Sequence, residues 1–213
     1  MTCPSQARLK AACETLSLAD PALARAYDLT GLPVWRAGDP TYAMLARMIT
    51  HQQISLGAAA AIWARTEALL GAVTPEAVLA ADPEALRACG QSRPKVGHLV
   101  SIAEAVVAGT LSLPRVCDAP LDDARKELAS VKGIGPWTAE LFLLYSIGAM
   151  DAFPVGDVGL MEAHKRLSGH ETRMDIKGFT AHAERWRPHR GVAAHLLWAW
   201  LHLDRGDAAP SPS

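Results

Sequence analysis

Helix-starting and helix-stopping residues recur so closely along this chain that little except short helices can form between them. Within TPEAVLAADPEALRACG at 74–90, Thr74 and Asp82 stand where a side-chain oxygen caps a first turn, and Pro75 and Pro83 occupy first helical positions. Gly90 ends the second of the two helices. TYAMLARMITHQQI and SLGAAAAIWARTEALLG read as another pair joined at HQQIS, with Ser55 as a cap and Gly71 as a terminator. A longer helix follows SRPK, from Val96 to Val107. In LDDARKELASV, Leu121, Ala124, Leu128 and Val131 form one apolar stripe with charges opposite. WTAELFLLYSIGAM, DVGLMEAHKRLSG, FTAHAERWRPHR and GVAAHLLWAWLHL supply four more helices. The alternation expected of strands is nearly absent, so the predicted fold class is all-α. Neither an internal repeat nor a long linker interrupts the pattern, which predicts one helical unit over 1–205. The small, polar, proline-containing tail 206–213, GDAAPSPS, is expected to be disordered.

With 213 residues and 50% hydrophobic content, such a chain can bury one core or two small lobes sharing a cleft. Its longest apolar runs, at 56–63 and 193–201, are too short to span a membrane. The N-terminus carries Arg8, Lys10 and Glu14 in a helical pattern and lacks the apolar centre of a secretion signal, so a cytoplasmic location is expected. Cys3, Cys13, Cys89 and Cys117 are scattered singly, which argues against an iron–sulfur cluster or a zinc site. No two of the histidines lie three or four residues apart, so a metal site on one helix face is not expected. A net charge of −1 gives no overall basic character. A nucleic-acid binder would need a local patch, and HKRLSGHETR at 164–173 or RWRPHR at 185–190 offers one. Both segments also read as ordinary solvated faces, and charge alone favours that simpler reading.

One break differs from the others. In VKGIGPWTAELF at 131–142, Gly133 and Gly135 permit positive φ and close backbone approach, and Pro136 suits the first turn of the helix that follows. A tight glycine turn before a helix start presents backbone N–H groups to an anion, for which phosphate is the obvious candidate. A plain helix–helix turn gives the same pattern, and the glycines alone do not decide between the two.

The longer string LASVKGIGPWTAELF resembles the helix-hairpin-helix element of the HhH-GPD superfamily of DNA glycosylases. Val131, Gly133, Ile134, Gly135, Thr138 and Ala139 match its pattern, and Lys132 stands where many members have proline. The resemblance implies a two-lobed helical core with the active-site cleft between lobes and the hairpin over about 121–148. It implies binding of double-stranded DNA containing damaged bases by a monomer, with no membrane. Lys132, Gly133, Gly135 and Thr138 would meet the DNA backbone. A monovalent cation, Na or K, would sit on the main-chain carbonyls near Ala129, Val131 and Ile134, and no cofactor would be needed for catalysis.

The family pattern also calls for an aspartate at the start of a later helix, after a short proline-containing loop, and DAFPVGDVGLMEA supplies Asp157 there. Breaking the bond between base and deoxyribose builds positive charge on the sugar, which a fixed carboxylate stabilises while orienting the attacking water. An aspartate after a loop is also a common helix cap, and both roles can coexist. Bifunctional members carry a lysine nucleophile at the position held here by Trp137. Its absence implies a monofunctional enzyme that leaves the abasic site intact.

GIGPWTA with tryptophan in that place is similar to the 3-methyladenine DNA glycosylase II branch, as are ITHQQISLGAAAAIWAR, CGQSRPKVGHLVSIAEAV and WRPHRGVAAHLLW; together the resemblance covers most of 40–203. The branch stacks a flipped, often cationic base on aromatic faces. Trp137 and Trp198 match its aromatic positions, and for Trp198 core packing is an equal alternative. Leu141 replaces a pocket tyrosine found in some members. The HQQIS loop would fill the vacated base stack, with Gln53 where some members place a leucine wedge. Gln52 and Ser55 would contact the backbone or the estranged base, and Ser55 reads equally as a plain cap. The N-terminal stretch carries no strand pattern, so the β-rich N-terminal domain of some members is not expected. The rival reading is a helix-hairpin-helix DNA-binding protein without catalysis, which has no need of a carboxylate facing an anionic polymer.

Overall fold

The computed structural model describes residues 3–35 and 37–206, and every regular element among the described residues is helical. The chain forms two compact units, one from Met1–Ala37 with Gly148–Ser213 and the other from Gly38–Ile147. The first unit begins with α1 (Gln6–Ala19) and α2 (Pro21–Thr30). Asp20 separates them: its N–H closes α1 on Leu16 O, and its Oδ1 accepts from Ala22 N to open α2. The second unit holds α3 (Tyr42–His51), α4 (Leu56–Leu70), α5 (Pro75–Ala80), α6 (Pro83–Ala88) and α7 (Arg93–Val107). It continues with α8 (Leu113–Asp118), α9 (Leu121–Ala129) and α10 (Pro136–Phe142), which runs on as a π-helical turn over Leu143–Ile147. The chain then returns to the first unit through α11 (Val158–Ser168), α12 (Ile176–Ala183) with a 3₁₀ turn over Glu184–Trp186, and α13 (Arg190–Arg205).

Capping explains most of these boundaries. Ser55, Thr74 and Asp82 accept from the N–H groups of Ala58, Ala77 and Glu84, as expected, and each such cap contributes about 1 kcal/mol. Ser92 caps through Lys95 N and starts α7 at Arg93, a turn earlier than periodicity alone suggests. Asp175 does the same for α12 through Gly178 N, so this helix starts at Ile176 and is ending where FTAHAERWRPHR was expected to continue. Beyond Phe142 the expected helix changes to π geometry, and Gly148 at φ 72° lies past its end. The six-residue α8 is too short to show a helical period and was not expected. Gly206 is the left-handed C-cap of α13, and the rest of the tail, 207–213, lies outside the described residues.

Each unit has its own core. Leu45, Ile49, Ile102, Leu128 and Phe142 are fully buried in the second, where Tyr42 Oη donates to Leu99 O. In the first, the edges of Phe153 and Phe179 meet Trp186 among Leu23, Leu196 and Leu197. Burying side chains of this size contributes roughly 1.5–3 kcal/mol apiece. No helix is long and apolar enough to cross a membrane among the described residues.

Candidate active site and nucleic-acid interface

In the second unit, α9 buries Ala124 and Leu128, and Val131 continues that stripe into the turn. Ile134 N donates back to Val131 O at 3.0 Å and closes the hairpin. Gly133 lies at φ 102°, and a Cβ there would fall 2.6 Å from His98 Cβ on α7. Both the dihedral and the packing therefore demand glycine. Gly135 makes no use of the positive φ that glycine permits: it is extended at φ −80°, ψ 170°, with open space where a Cβ would go. As N-cap of α10 it supplies no side-chain acceptor, so the first turn keeps its N–H groups toward the exposed Gly135–Pro136 corner. Lys132 is exposed beside it, Trp137 is half-buried, and Leu141 is buried on the inner face of α10.

The HQQIS segment of the same unit is tied at several points. Gln52, at φ −60° and ψ 131°, and Gln53, at φ 59°, form a turn after α3, with the φ values a type II turn has at its two central positions. Gln53 is the only non-glycine residue with positive φ among the described residues, at a position glycine normally takes. Holding it there costs on the order of 1–2 kcal/mol. Gln52 Nε2 donates to Thr138 Oγ1 at 2.8 Å, and Thr138 itself is buried. Lys95 Nζ donates to Thr50 O at 2.7 Å and to Gln52 O at 2.8 Å, and burial lowers its pKa. Buried Gln91 adds a donation to Thr50 Oγ1. Gln53 itself remains exposed, and Ser55 acts as the cap of α4.

In the first unit, Asp157 caps α11: its Oδ1 accepts from Leu160 N at 3.0 Å. Trp198 Nε1 on α13 donates to the same oxygen at 3.3 Å. Gly159 makes this approach possible, since a Cβ there would stand 3.0 Å from that oxygen and 3.3 Å from Leu201 Cδ2. His195, one turn before Trp198, meets its ring edge-on at 6.0 Å and donates through Nδ1 to Gly191 O at 2.8 Å. Trp35 stacks on His195 at 4.3 Å and 16°. Trp35, His195 and Gly159 thus join the row leading to Asp157, although sequence reasoning singled out only Asp157 and Trp198. The i, i+3 spacing of His195 and Trp198 was the available signal. Trp35 sits outside any helix and carries no periodic one.

Several cations of the two basic segments are already committed to carboxylates. Arg166 pairs with Glu162 and Asp204, Arg187 with Asp151 and Glu184, and buried Arg190 grips Asp151 with two nitrogens while reaching Glu184. His164 is buried and turns toward Asp20, whose Oδ2 also receives His182 Nε2 at 2.7 Å and Trp186 Nε1 at 3.0 Å. Burial alone would raise the Asp20 pKa, but donations from His164, His182, Ala22 and Trp186 hold it far below the usual carboxylate range. Ligand atoms of Asp20, His164 and His182 lie within 4.8 Å of one another, a convergence that spacing along single helices does not reveal. The tryptophan N–H already shares the oxygen on which both histidines converge, so the cluster is a satisfied polar lock of the first unit.

An all-helical chain with a strictly glycine-dependent hairpin, and with a helix-capping aspartate braced by a tryptophan, has the parts of a helix-hairpin-helix DNA repair enzyme. Residues 46–188 match the model of the family described as HhH-GPD superfamily base excision DNA repair protein, and the chain belongs to that superfamily. DNA-3-methyladenine glycosylase 1 of Schizosaccharomyces pombe is 33% identical over 164 residues, covering 74% of this chain and 71% of that protein. DNA-3-methyladenine glycosylase 2 of Escherichia coli is 31% identical over 163 residues, 71% of this chain and 55% of the relative, so the chain matches about half of that longer protein. The solved structure of the S. pombe 3-methyladenine DNA glycosylase in complex with abasic DNA superposes with a TM-score of 0.80 at 27% identity, over 93% of this chain and 99% of that one. The protein is a DNA glycosylase of base excision repair.

Proposed function

We propose that the protein hydrolyses the N-glycosidic bond of alkylated bases such as 3-methyladenine in double-stranded DNA and leaves the strand unbroken. The observation that carries this reading is the bracing of Asp157. Two N–H groups on Oδ1 fix the plane of the carboxylate, and with it the direction of Oδ2. A carboxylate held in this way can stabilise the positive charge that grows on the sugar without reorganising during the reaction. As the bond between base and sugar breaks, its electron pair goes to the base, so an alkylated base that begins cationic leaves neutral. Water adds to the sugar carbon and Asp157 takes its proton. Such a leaving group needs no general acid, which fits a site whose one assigned titratable group is a carboxylate.

Trp137 and Trp198 each offer an aromatic face suited to a cationic base, and Leu141 backs the apolar side of α10. Trp137 also carries the monofunctional assignment, because the position needed for a Schiff-base lysine holds an indole and Lys132 lies elsewhere in the hairpin. For backbone contact we assign Lys132, Gly133, Gly135 and Thr138 of the hairpin; in the turn, Gln53 would fill the vacated stack, and Gln52 and Ser55 would meet the backbone or the estranged base. The carbonyls of Ala129, Val131 and Ile134 fit a monovalent cation in kind, being neutral oxygens at a tight turn. Val131 O keeps a second lone pair beyond its bond from Ile134 N. Catalysis needs no other cofactor, and the reading expects a cytoplasmic monomer.

The test uses duplex oligonucleotides carrying a methylated adenine, incubated with wild-type and Asp157→Asn protein and divided into samples with and without hot alkali. Breaks that require alkali and vanish in the variant are expected. Breaks without alkali would remove the monofunctional assignment, and no excision of any alkylated base would remove the substrate assignment.

A further inference from the structure

We infer that Lys95 is a positioning residue that presets the Gln53 turn for insertion into the DNA stack, an inference that rests on the glycosylase reading above. Three observations meet at this turn. The last carbonyls of α3 need partners at the helix end, and the Lys95 ammonium satisfies Thr50 O and Gln52 O from the neighbouring helix α7. Gln52 is drawn the other way, onto Thr138 in the first turn of α10, so the turn is joined to the hairpin that would meet the DNA backbone. Between these fastenings Gln53 is held in the left-handed region with its side chain exposed, and Ile54 and Leu56 beside it are exposed apolar side chains. A residue held at unfavourable φ on an otherwise tied turn is the arrangement expected where strain serves positioning. Lys95 spends its charge on carbonyls of its own chain, so its contribution to DNA binding is indirect. It shapes the turn in advance, and the ordering of the plug is not left to the moment the base leaves the helix.

The experiment compares wild-type with Lys95→Met, which keeps the aliphatic stem and removes the donors, and with Thr138→Val, which cuts the second fastening. Single-turnover excision is measured for the same alkylated base placed opposite its partner and opposite an abasic position, where there is less to unpair. In parallel, 2-aminopurine facing an abasic-site analogue reports insertion of the plug without any chemistry. We expect Lys95→Met to slow excision of the paired lesion about tenfold, as loss of two charge-assisted hydrogen bonds implies, with the unpaired lesion changed by less than about twofold. The 2-aminopurine signal falls in both variants. For Lys95→Met the salt dependence of duplex binding stays at the wild-type slope, whereas loss of a direct phosphate contact would reduce that slope by about 1.

Equal losses on paired and unpaired lesions would make Lys95 a structural residue and overturn the inference, as would unchanged activity on both or a reduced salt slope. If the wild-type protein excises no lesion, the function proposed above fails. The 2-aminopurine measurement still decides the role of Lys95 in that case, and a signal unchanged by Lys95→Met overturns it.

Discussion

Asp157 is both a helix cap and the assigned catalytic carboxylate, and replacing it with alanine and asparagine separates the two roles. Alanine removes the acceptor for Leu160 N, a loss worth about 1 kcal/mol at an N-cap. For a chain of this size that lowers Tm by about 2–4 °C. Asparagine keeps an oxygen that can accept from both Leu160 N and Trp198 Nε1, and it caps as well as aspartate does. Only the charge at the start of α11 is lost, about 0.3–1 kcal/mol, so Tm should fall by about 1–4 °C, less than in alanine, which loses the same charge together with the acceptor. Catalysis should not distinguish the two variants, because the developing positive charge on the sugar is answered by the negative charge that both lack. Excision should fall at least about 100-fold in each, the scale on which removal of one electrostatic group acts in other enzymes. Thermal unfolding and single-turnover excision on one preparation give both numbers. Asparagine with near wild-type excision would refute the catalytic assignment and leave Asp157 a cap. Asparagine as destabilised as alanine would refute the account of its hydrogen bonds.

Three further outcomes follow from the same geometry. The depressed pKa of Asp20 contributes stability that is present above the unfolded carboxylate value near 4 and lost as pH falls below it, so the stability gap between wild-type and Asp20→Asn, roughly 3 kcal/mol at pH 7, should narrow from pH 5 to pH 3 in denaturant titrations. A gap independent of pH would mean that the lock does not depend on the Asp20 charge. Gly133→Ala, forced to φ 102° and 2.6 Å from His98 Cβ, should lose more than about 1 kcal/mol of stability and weaken DNA binding, whereas Gly135→Ala should stay within about 0.5 kcal/mol; equal effects would contradict the hairpin geometry. Trp198→Phe keeps an aromatic face but removes the donor to Asp157, and should slow excision about three- to tenfold with Tm changed by less than about 2 °C, as expected for a single modest hydrogen bond; unchanged excision would show that this bond does not orient the carboxylate.

What could be read in advance depended on how far along the chain each determinant acts. The caps at Ser55, Thr74, Asp82 and Asp157 are legible because the acceptor and its N–H lie two or three residues apart, and all four form as the pattern requires. Locality does not separate Gly135, a position that admits any residue's φ, from Gly133, whose need for glycine is imposed by His98 on another helix. Lys95, Trp35 and His195 acquire their roles only through partners distant in sequence, and Asp20 meets two histidines from helices beyond the second unit's whole length. The pattern has a physical origin. A cap or turn is decided by the torsions of a few neighbouring residues, whereas the braced carboxylate and the clamped Gln53 turn exist only once separate helices are packed. Asp157 was visible in the sequence because it caps its own helix as well as matching a family position, whereas Gly159, His195 and Trp35 near it were hidden because their contacts form only in the packed fold.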